Sequence, residues 1–117
     1  MSHVPRLFPR EVLDGYCVIC IDGEIDVAIA GLLTVDLENA IEECSAHLLL
    51  DLTDVTFMDS TALSALVAAH RHAVASGGSV RLVGPNRRIT ALLASTHLDR
   101  LLPIHDTMEG ARAKRPG

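Results

Sequence analysis

A short apolar run that hands over to a helical repeat constrains this chain more than any other feature. His47-Leu48-Leu49-Leu50-Asp51-Leu52 is too short for a helix and apolar at successive positions, the pattern of a strand covered on both faces. Beyond it Leu63, Leu66, Val67, His70 and Val74 recur at helical spacing. They predict the buried stripe of a helix that starts near Ser60 and stops before the breaker Gly77-Gly78. The same alternation runs through the rest of the chain. Tyr16 to Asp22 reads as a strand, and Ala28 to Cys44 as a helix that turns Ile29, Leu33, Leu37, Ala40, Ile41 and Cys44 inward. Ser79 to Val83 supplies a further strand, Pro85-Asn86 introduces a helix through Ser95, and Leu101 to Ile104 and Thr107 to Ala113 follow as strand and helix. An early strand over Val4 to Phe8 is expected at a sheet edge. The fold class that follows is α/β: a small single domain with a mixed, mostly parallel sheet of about four to five strands under about four helices.

A chain of 117 residues accommodates one core and no second domain. The domain is expected to span residues 4–113, with 1–3 and 114–117 as flexible ends. Apolar residues make up 49% of the sequence, but Phe8, Phe57 and Tyr16 are the only aromatic ones. Aliphatic packing must therefore hold the fold, and a platform for stacking bases is lacking. The formal net charge is −5, with positive residues gathered in Arg87-Arg88 and in Arg112-Ala113-Lys114-Arg115. Such a domain is not a nucleic-acid binder. The chain shows neither a signal-peptide apolar region nor a run near the roughly 20 apolar residues of a membrane helix, so no direct membrane insertion and a cytoplasmic location are expected. Cys17, Cys20 and Cys44, odd in number and set in apolar segments, are expected to be buried reduced thiols, with metal binding and redox chemistry as the lesser readings of a set that includes the C-x-x-C of Cys17 and Cys20. Cys17 and Cys20 should point to opposite faces of their strand.

The chemistry of interest lies where the apolar strand gives way to the helix, at Asp59-Ser60-Thr61-Ala62-Leu63. Two hydroxyls at a helix start invite two readings. Asp59 or Ser60 caps the helix by accepting from an orphan N–H. Alternatively a hydroxyl there accepts a phosphate, which the positive helix end tolerates without unfolding the domain. Asp26 precedes the first long helix as Asp59 precedes the second, and capping accounts for both; Asp51 is expected to satisfy turn N–H groups at a strand end. The helix after Ser60 has a second, small-residue face made of Ser64, Ala65, Ala68, Arg71, His72 and Ala75, suited to close approach by a partner. Catalytic constellations are absent. Ser60 sits in no G-x-S-x-G elbow, no phosphate-cradling G-x-x-x-x-G-K-[ST] occurs, and the six histidines lack zinc-ligand spacing. No metal, cofactor or enzymatic activity is expected, His70 is read as a satisfied core histidine, and Arg87-Arg88 as solvated or paired rather than a binding site.

The segment Leu48 to Leu66, LLLDLTDVTFMDSTALSAL, resembles the core of the STAS domain, named for sulfate transporters and anti-sigma factor antagonists. Gly23-Glu24-Ile25-Asp26 resembles the signature opening that family's first long helix, and Leu101-Leu102-Pro103-Ile104 its late strand; the likeness runs from about Val12 to Ala113. Two departures stand out. Ala62 occupies a usual Gly position and should be tolerated. His97 stands where Gly commonly ends a helix and would have to adopt a left-handed backbone. The resemblance implies an anti-sigma factor antagonist that works by partner switching. Unphosphorylated, it binds an anti-sigma factor with a GHKL-type serine kinase domain; phosphorylated, it is released, and a serine phosphatase restores it. ATP then belongs to the partner. The resemblance places the phosphate on Ser60, with Thr61 as the lesser candidate, and the partner surface on Asp26, Asp59, Ser60, Thr61, Ser64, Ala65 and Ala68. Two rivals remain: a non-switching STAS subunit of a membrane phospholipid transport complex, and a small enzyme using Asp51, Asp59 and Ser60 for phosphoryl chemistry.

Overall fold

In a computed structural model, which describes residues 7–113, the alternating pattern becomes one five-stranded sheet and four α-helices. The elements are β1 (Arg10–Leu13), β2 (Tyr16–Ile25), α1 (Val27–Glu43), β3 (His47–Met58), α2 (Ser60–Ala75), β4 (Ser79–Val83), α3 (Arg87–Ser95), a 3₁₀ turn (Leu98–Arg100), β5 (Ile104–His105) and α4 (Met108–Arg112). Strands lie side by side in chain order; β1 is antiparallel to β2, and every later pairing is parallel. This is the mixed, mostly parallel sheet expected from the sequence.

Side-chain alternation explains why the central strands read as unbroken apolar runs. Cys17, Ile19 and Ile21 of β2 and Leu48, Leu50 and Leu52 of β3 face the main core, where α1 contributes Leu33, Leu37 and Ile41 and α2 contributes Leu63 and Leu66. The intervening Tyr16, Val18 and Leu49 point the other way, joining Val83 and Ala111 in a smaller cluster under α4. Two covered faces need apolar residues at every position.

Several boundaries differ from expectation, each for a physical reason. β3 continues to Met58 instead of ending at Leu52, because its second half pairs with β2 alone; the β4 ladder stops at Asp51–Val83, leaving Thr53, Asp54 and Thr56 exposed and polar. Asp51 is therefore inside a strand, where it accepts from the Thr53 N–H at 3.0 Å and hydroxyl at 2.6 Å. The described edge strand is Arg10–Leu13; most of the predicted Val4–Phe8 strand lies outside the described residues, as do segments 1–3 and 114–117, and Leu7 and Phe8 are not in a strand. A two-residue turn, Asp14-Gly15, joins β1 to β2 with both φ angles positive at 53° and 85°. Asp-Gly is the dipeptide such a hairpin demands, and it was the available signal. The last strand is Ile104–His105 rather than Leu101–Ile104, since Pro103 has no N–H to donate and contributes only its carbonyl, to Leu82 N at 2.8 Å.

α2 is also rotated about its axis relative to the predicted stripe. Ala62, Leu63, Ala65, Leu66, Ala69 and Ala73 are buried, Val67 and His70 are half-buried, and Val74 is 54% exposed. Alanines permit close approach to α1 and the sheet, and their weak hydropathy concealed the inward face. His70 is not a satisfied core histidine: its Nδ1 is buried without a hydrogen-bond partner among the described residues. His97 does take the left-handed conformation, with φ 61° and ψ 15°, and Ala62 is accommodated fully buried.

One buried charged pair had no sequence forecast, and one cysteine forecast is overturned. Asp36, on the inward side of α1, is 3% exposed and meets Arg10 of β1 at 2.5 Å while accepting from Leu7 N at 3.2 Å. Cys17 and Cys44 are joined as a disulfide with Cα atoms 5.8 Å apart, and Cys20 is exposed; both points correct the expectation of buried reduced thiols. The register explains the pairing, because Cys17 lies beside Leu48 at the start of β3, just after the end of α1. Cys20 lies beside Asp51 on the opposite face from Cys17.

Candidate functional site

Parallel pairing of β2 and β3 brings Ile25 opposite Met58, so Asp26 and Asp59, the next residues, launch α1 and α2 side by side from the same end of the sheet. The carboxyl ends of parallel strands are where α/β folds gather their working groups. Asp26 Oδ1 accepts from Ala28 N at 3.0 Å. Asp59 Oδ1 accepts from Thr61 N at 3.0 Å, from Ala62 N at 3.1 Å and from the Thr61 hydroxyl. The Asp59 backbone N–H donates to Ile25 O at 3.4 Å, tying the two helix starts together. The hydrogen bond from the Thr61 hydroxyl, followed by that from Ala62 N, holds the Asp59 carboxyl below its ordinary pKa.

This arrangement separates the two candidate hydroxyls. Ser60 is exposed at the first helical position, and its Oγ makes no hydrogen bond among the described residues. Thr61 is half-buried, and its hydroxyl proton is committed to Asp59. Asp59, not Ser60, is therefore the cap. Ser64 lies one turn further on, exposed, with its hydroxyl donated to Ser60 O at 3.1 Å.

Ser64 and the half-buried Ala68 form a low ridge between two open grooves that converge toward Ser60 and Thr61. One groove, about 460 Å³, lies between α2 and the end of α3, over Leu63, Val67 and Leu98. The other, about 470 Å³, lies between α2 and α1, with Gly31 and Thr34 on its far side. Ala65 departs from expectation: at 2% exposure it packs into the core and offers a partner almost nothing. Sequence reasoning also missed the apolar surface beside the site, where Val27 opens α1 at 72% exposure and Phe57 is 47% exposed near the end of β3. An isolated apolar residue in an amphipathic pattern carries no signal of which side it takes.

Asp51 does not join this site. It lies eight residues before Asp59 along β3, about 26 Å at strand rise, so the trio required for phosphoryl chemistry is not assembled. Among the described residues no group of three or more His, Cys, Asp or Glu side chains is placed to hold a metal ion, and no helix is long and apolar enough to cross a membrane.

Comparison with known proteins agrees with this architecture. The sequence profile of the STAS domain matches residues 8–111. The anti-sigma-B factor antagonist of Bacillus subtilis is 36% identical over 90 residues, covering 77% of this chain and 82% of that protein. The anti-sigma F factor antagonist of Paenibacillus polymyxa is 26% identical over 94 residues, covering 79% and 80%. Among solved structures, the crystal structure of a Thermotoga maritima protein, provisionally named an anti-sigma factor antagonist, superposes with a TM-score of 0.85 at 28% identity, covering 92% of each chain. With the profile spanning nearly the whole chain and the fold matching throughout, this protein belongs to the STAS domain family.

Proposed function

We propose that this protein is an anti-sigma factor antagonist whose affinity for its partner is set by phosphorylation of Ser60. The observation that carries the reading is the contrast between the two hydroxyls: Ser60 Oγ is exposed and uncommitted, whereas Thr61 Oγ1 is held by Asp59. The relatives named anti-sigma factor antagonists support the regulatory class. In this account the unphosphorylated protein presents Ser60, Ser64 and Ala68, flanked by Asp26, Asp59 and Thr61, to the serine kinase domain of an anti-sigma factor, and binding frees the sigma factor. The kinase transfers the γ-phosphoryl group of its own ATP to Ser60 Oγ, the hydroxyl proton leaves, and ADP remains with the kinase. A serine phosphatase hydrolyses the ester and restores the binding form. Partners of this kind place the protein in the cytoplasm.

Electrostatics supply the switch. A phosphoserine carries about −1.5 to −2 charges near neutral pH and strongly holds its hydration. The helix start attracts it, but the N–H groups of Thr61 and Ala62 already bond the Asp59 carboxylate, so phosphate and carboxylate compete for the same positive end. The new charge therefore remains on the surface, where it opposes docking.

Mass spectrometry of the protein from its native cell tests the modification, with phosphate expected on the peptide containing Ser60. An affinity capture with the same protein tests the partner. Recovery of an ATP-binding anti-sigma factor is expected; recovery of a transporter ATPase with no phosphate on Ser60 would favour the transport-subunit role instead.

A further inference from the structure

The end of the fold opposite Ser60 carries a second chemical feature, independent of the regulatory reading. The β1–β2 turn, the end of α1 and the start of β3 meet at one corner. Ser45 Oγ donates to Gly15 O at 2.8 Å, His47 N donates to Ser45 Oγ at 3.1 Å, and the Cys44 N–H donates to Ala40 O at 2.9 Å. Together with the Cys17–Leu48 pairing, these bonds hold Cys44 over Cys17 without help from the sulfur–sulfur bond. The two sulfurs therefore stay neighbours after reduction, and closing the bridge needs little rearrangement.

Accessibility is asymmetric. Cys17 is fully buried in the main core, while Cys44 is half-buried at the helix end and lines a surface cavity of about 210 Å³ with Arg10, Val12 and Glu43. A thiol reagent reaches Cys44 first. Cys20, the remaining cysteine, is exposed on the other face of β2 and cannot reach Cys17 across the sheet. Partial burial, then the nearby Asp51, Glu11 and Asp54 charges, raise its pKa, keeping that thiol protonated and sluggish.

We propose that Cys17 and Cys44 form a redox-responsive modification site, opened and closed by thiol–disulfide exchange at Cys44 with a low-molecular-weight thiol and its disulfide. In the closing direction the Cys44 thiolate attacks the small disulfide RSSR, forming the mixed disulfide Cys44–S–SR and expelling RS⁻. The Cys17 thiolate then attacks the Cys44 sulfur and expels the second RS⁻. The net change converts two protein thiols and RSSR into one protein disulfide and two RSH, with both electrons passing to the reagent. The closed bridge spans 27 residues, from the beginning of β2 to the end of α1, and clamps the last turn of α1 to the sheet. It acts on stability and leaves the Ser60 end of the domain unaltered.

The test uses the full chain equilibrated with either oxidised or reduced glutathione, then unfolded, alkylated and analysed by mass spectrometry. The oxidised sample should yield a Cys17–Cys44 cross-linked peptide with neither residue alkylated, and Cys20 either alkylated or carrying glutathione; the reduced sample should carry three alkyl groups. Thermal unfolding of the oxidised form should occur higher by on the order of 5–10 °C, and amides at the end of α1 should exchange more slowly. Cys44→Ser should abolish both differences, whereas Cys20→Ser should preserve them. Because Cys44 is half-buried at a helix end, its replacement spares the core that Cys17→Ser would disturb. Three alkylated cysteines after oxidation, a bridge involving Cys20, or a bridge that survives excess reduced glutathione in the folded protein would each overturn the proposal.

Discussion

Asp59 and Ser60 both read as candidate caps in the sequence, and only one of them takes that place in the fold. Asp59 takes the cap, with both Thr61 N and Ala62 N as donors, which leaves the Ser60 side chain free of structural duty. Ser60→Ala should accordingly cost less than about 0.5 kcal/mol in stability, the range of an exposed substitution, while abolishing phosphorylation. Thr61→Ala should still accept phosphate; a phosphorylated Ser60→Ala protein would transfer the role to Thr61. Asp59→Ala should lower the melting temperature at neutral pH. Its folded pKa lies below the unfolded value, so the carboxylate's contribution is present above about pH 3.8 and fades as pH falls through the folded pKa. Melting curves of wild type and Asp59→Ala should therefore converge in strong acid; a constant gap across the titration would show that charge is not the cause. The helix start at Asp59-Ser60 was legible because such a start is written in side-chain chemistry. The burial of Ala65 and the exposure of Val27 were not, since one depends on rotation about α2 and the other on what packs beside α1.

At the scale of elements, the strands with two covered faces were the most legible, and those with one open side the least. β4 matches its predicted span, as apolar runs under helices should, while the polar second half of β3 reads as loop until β2 is laid beside it. The β1–α1 junction shows a further limit. Arg10 lies on an edge strand and Asp36 on a helix, and only the packed fold reveals that each neutralises the other in the interior. Removing one member strands a buried charge, so Asp36→Ala should destabilise by about 3–5 kcal/mol. Replacing both, as in Arg10→Met with Asp36→Leu, should recover most of that loss. Denaturant unfolding of the single and double variants checks this; additive losses would mean that the pair does not act as a unit. Phosphorylation at the start of α2 should leave far-ultraviolet dichroism unchanged and shift the melting temperature little, because attraction to the helix end is offset by Asp59. Loss of helical signal on phosphorylation would instead mean that α2 melts.

Across the whole molecule, the two ends of the sheet do different work. One end holds the paired helix starts of Asp26 and Asp59, with Ser60 and the ridge of Ser64 and Ala68 between open grooves; the other end is tied by Ser45, Gly15 and the Cys17–Cys44 bridge. On the proposed mechanism, phosphate on Ser60 weakens partner binding through charge on an otherwise intact surface. Isothermal titration calorimetry of the unphosphorylated and Ser60-phosphorylated protein against the captured anti-sigma factor tests it most directly. The phosphorylated form should bind with an affinity at least about tenfold lower, or roughly 1.4 kcal/mol, with both forms equally folded. Equal affinities would contradict it.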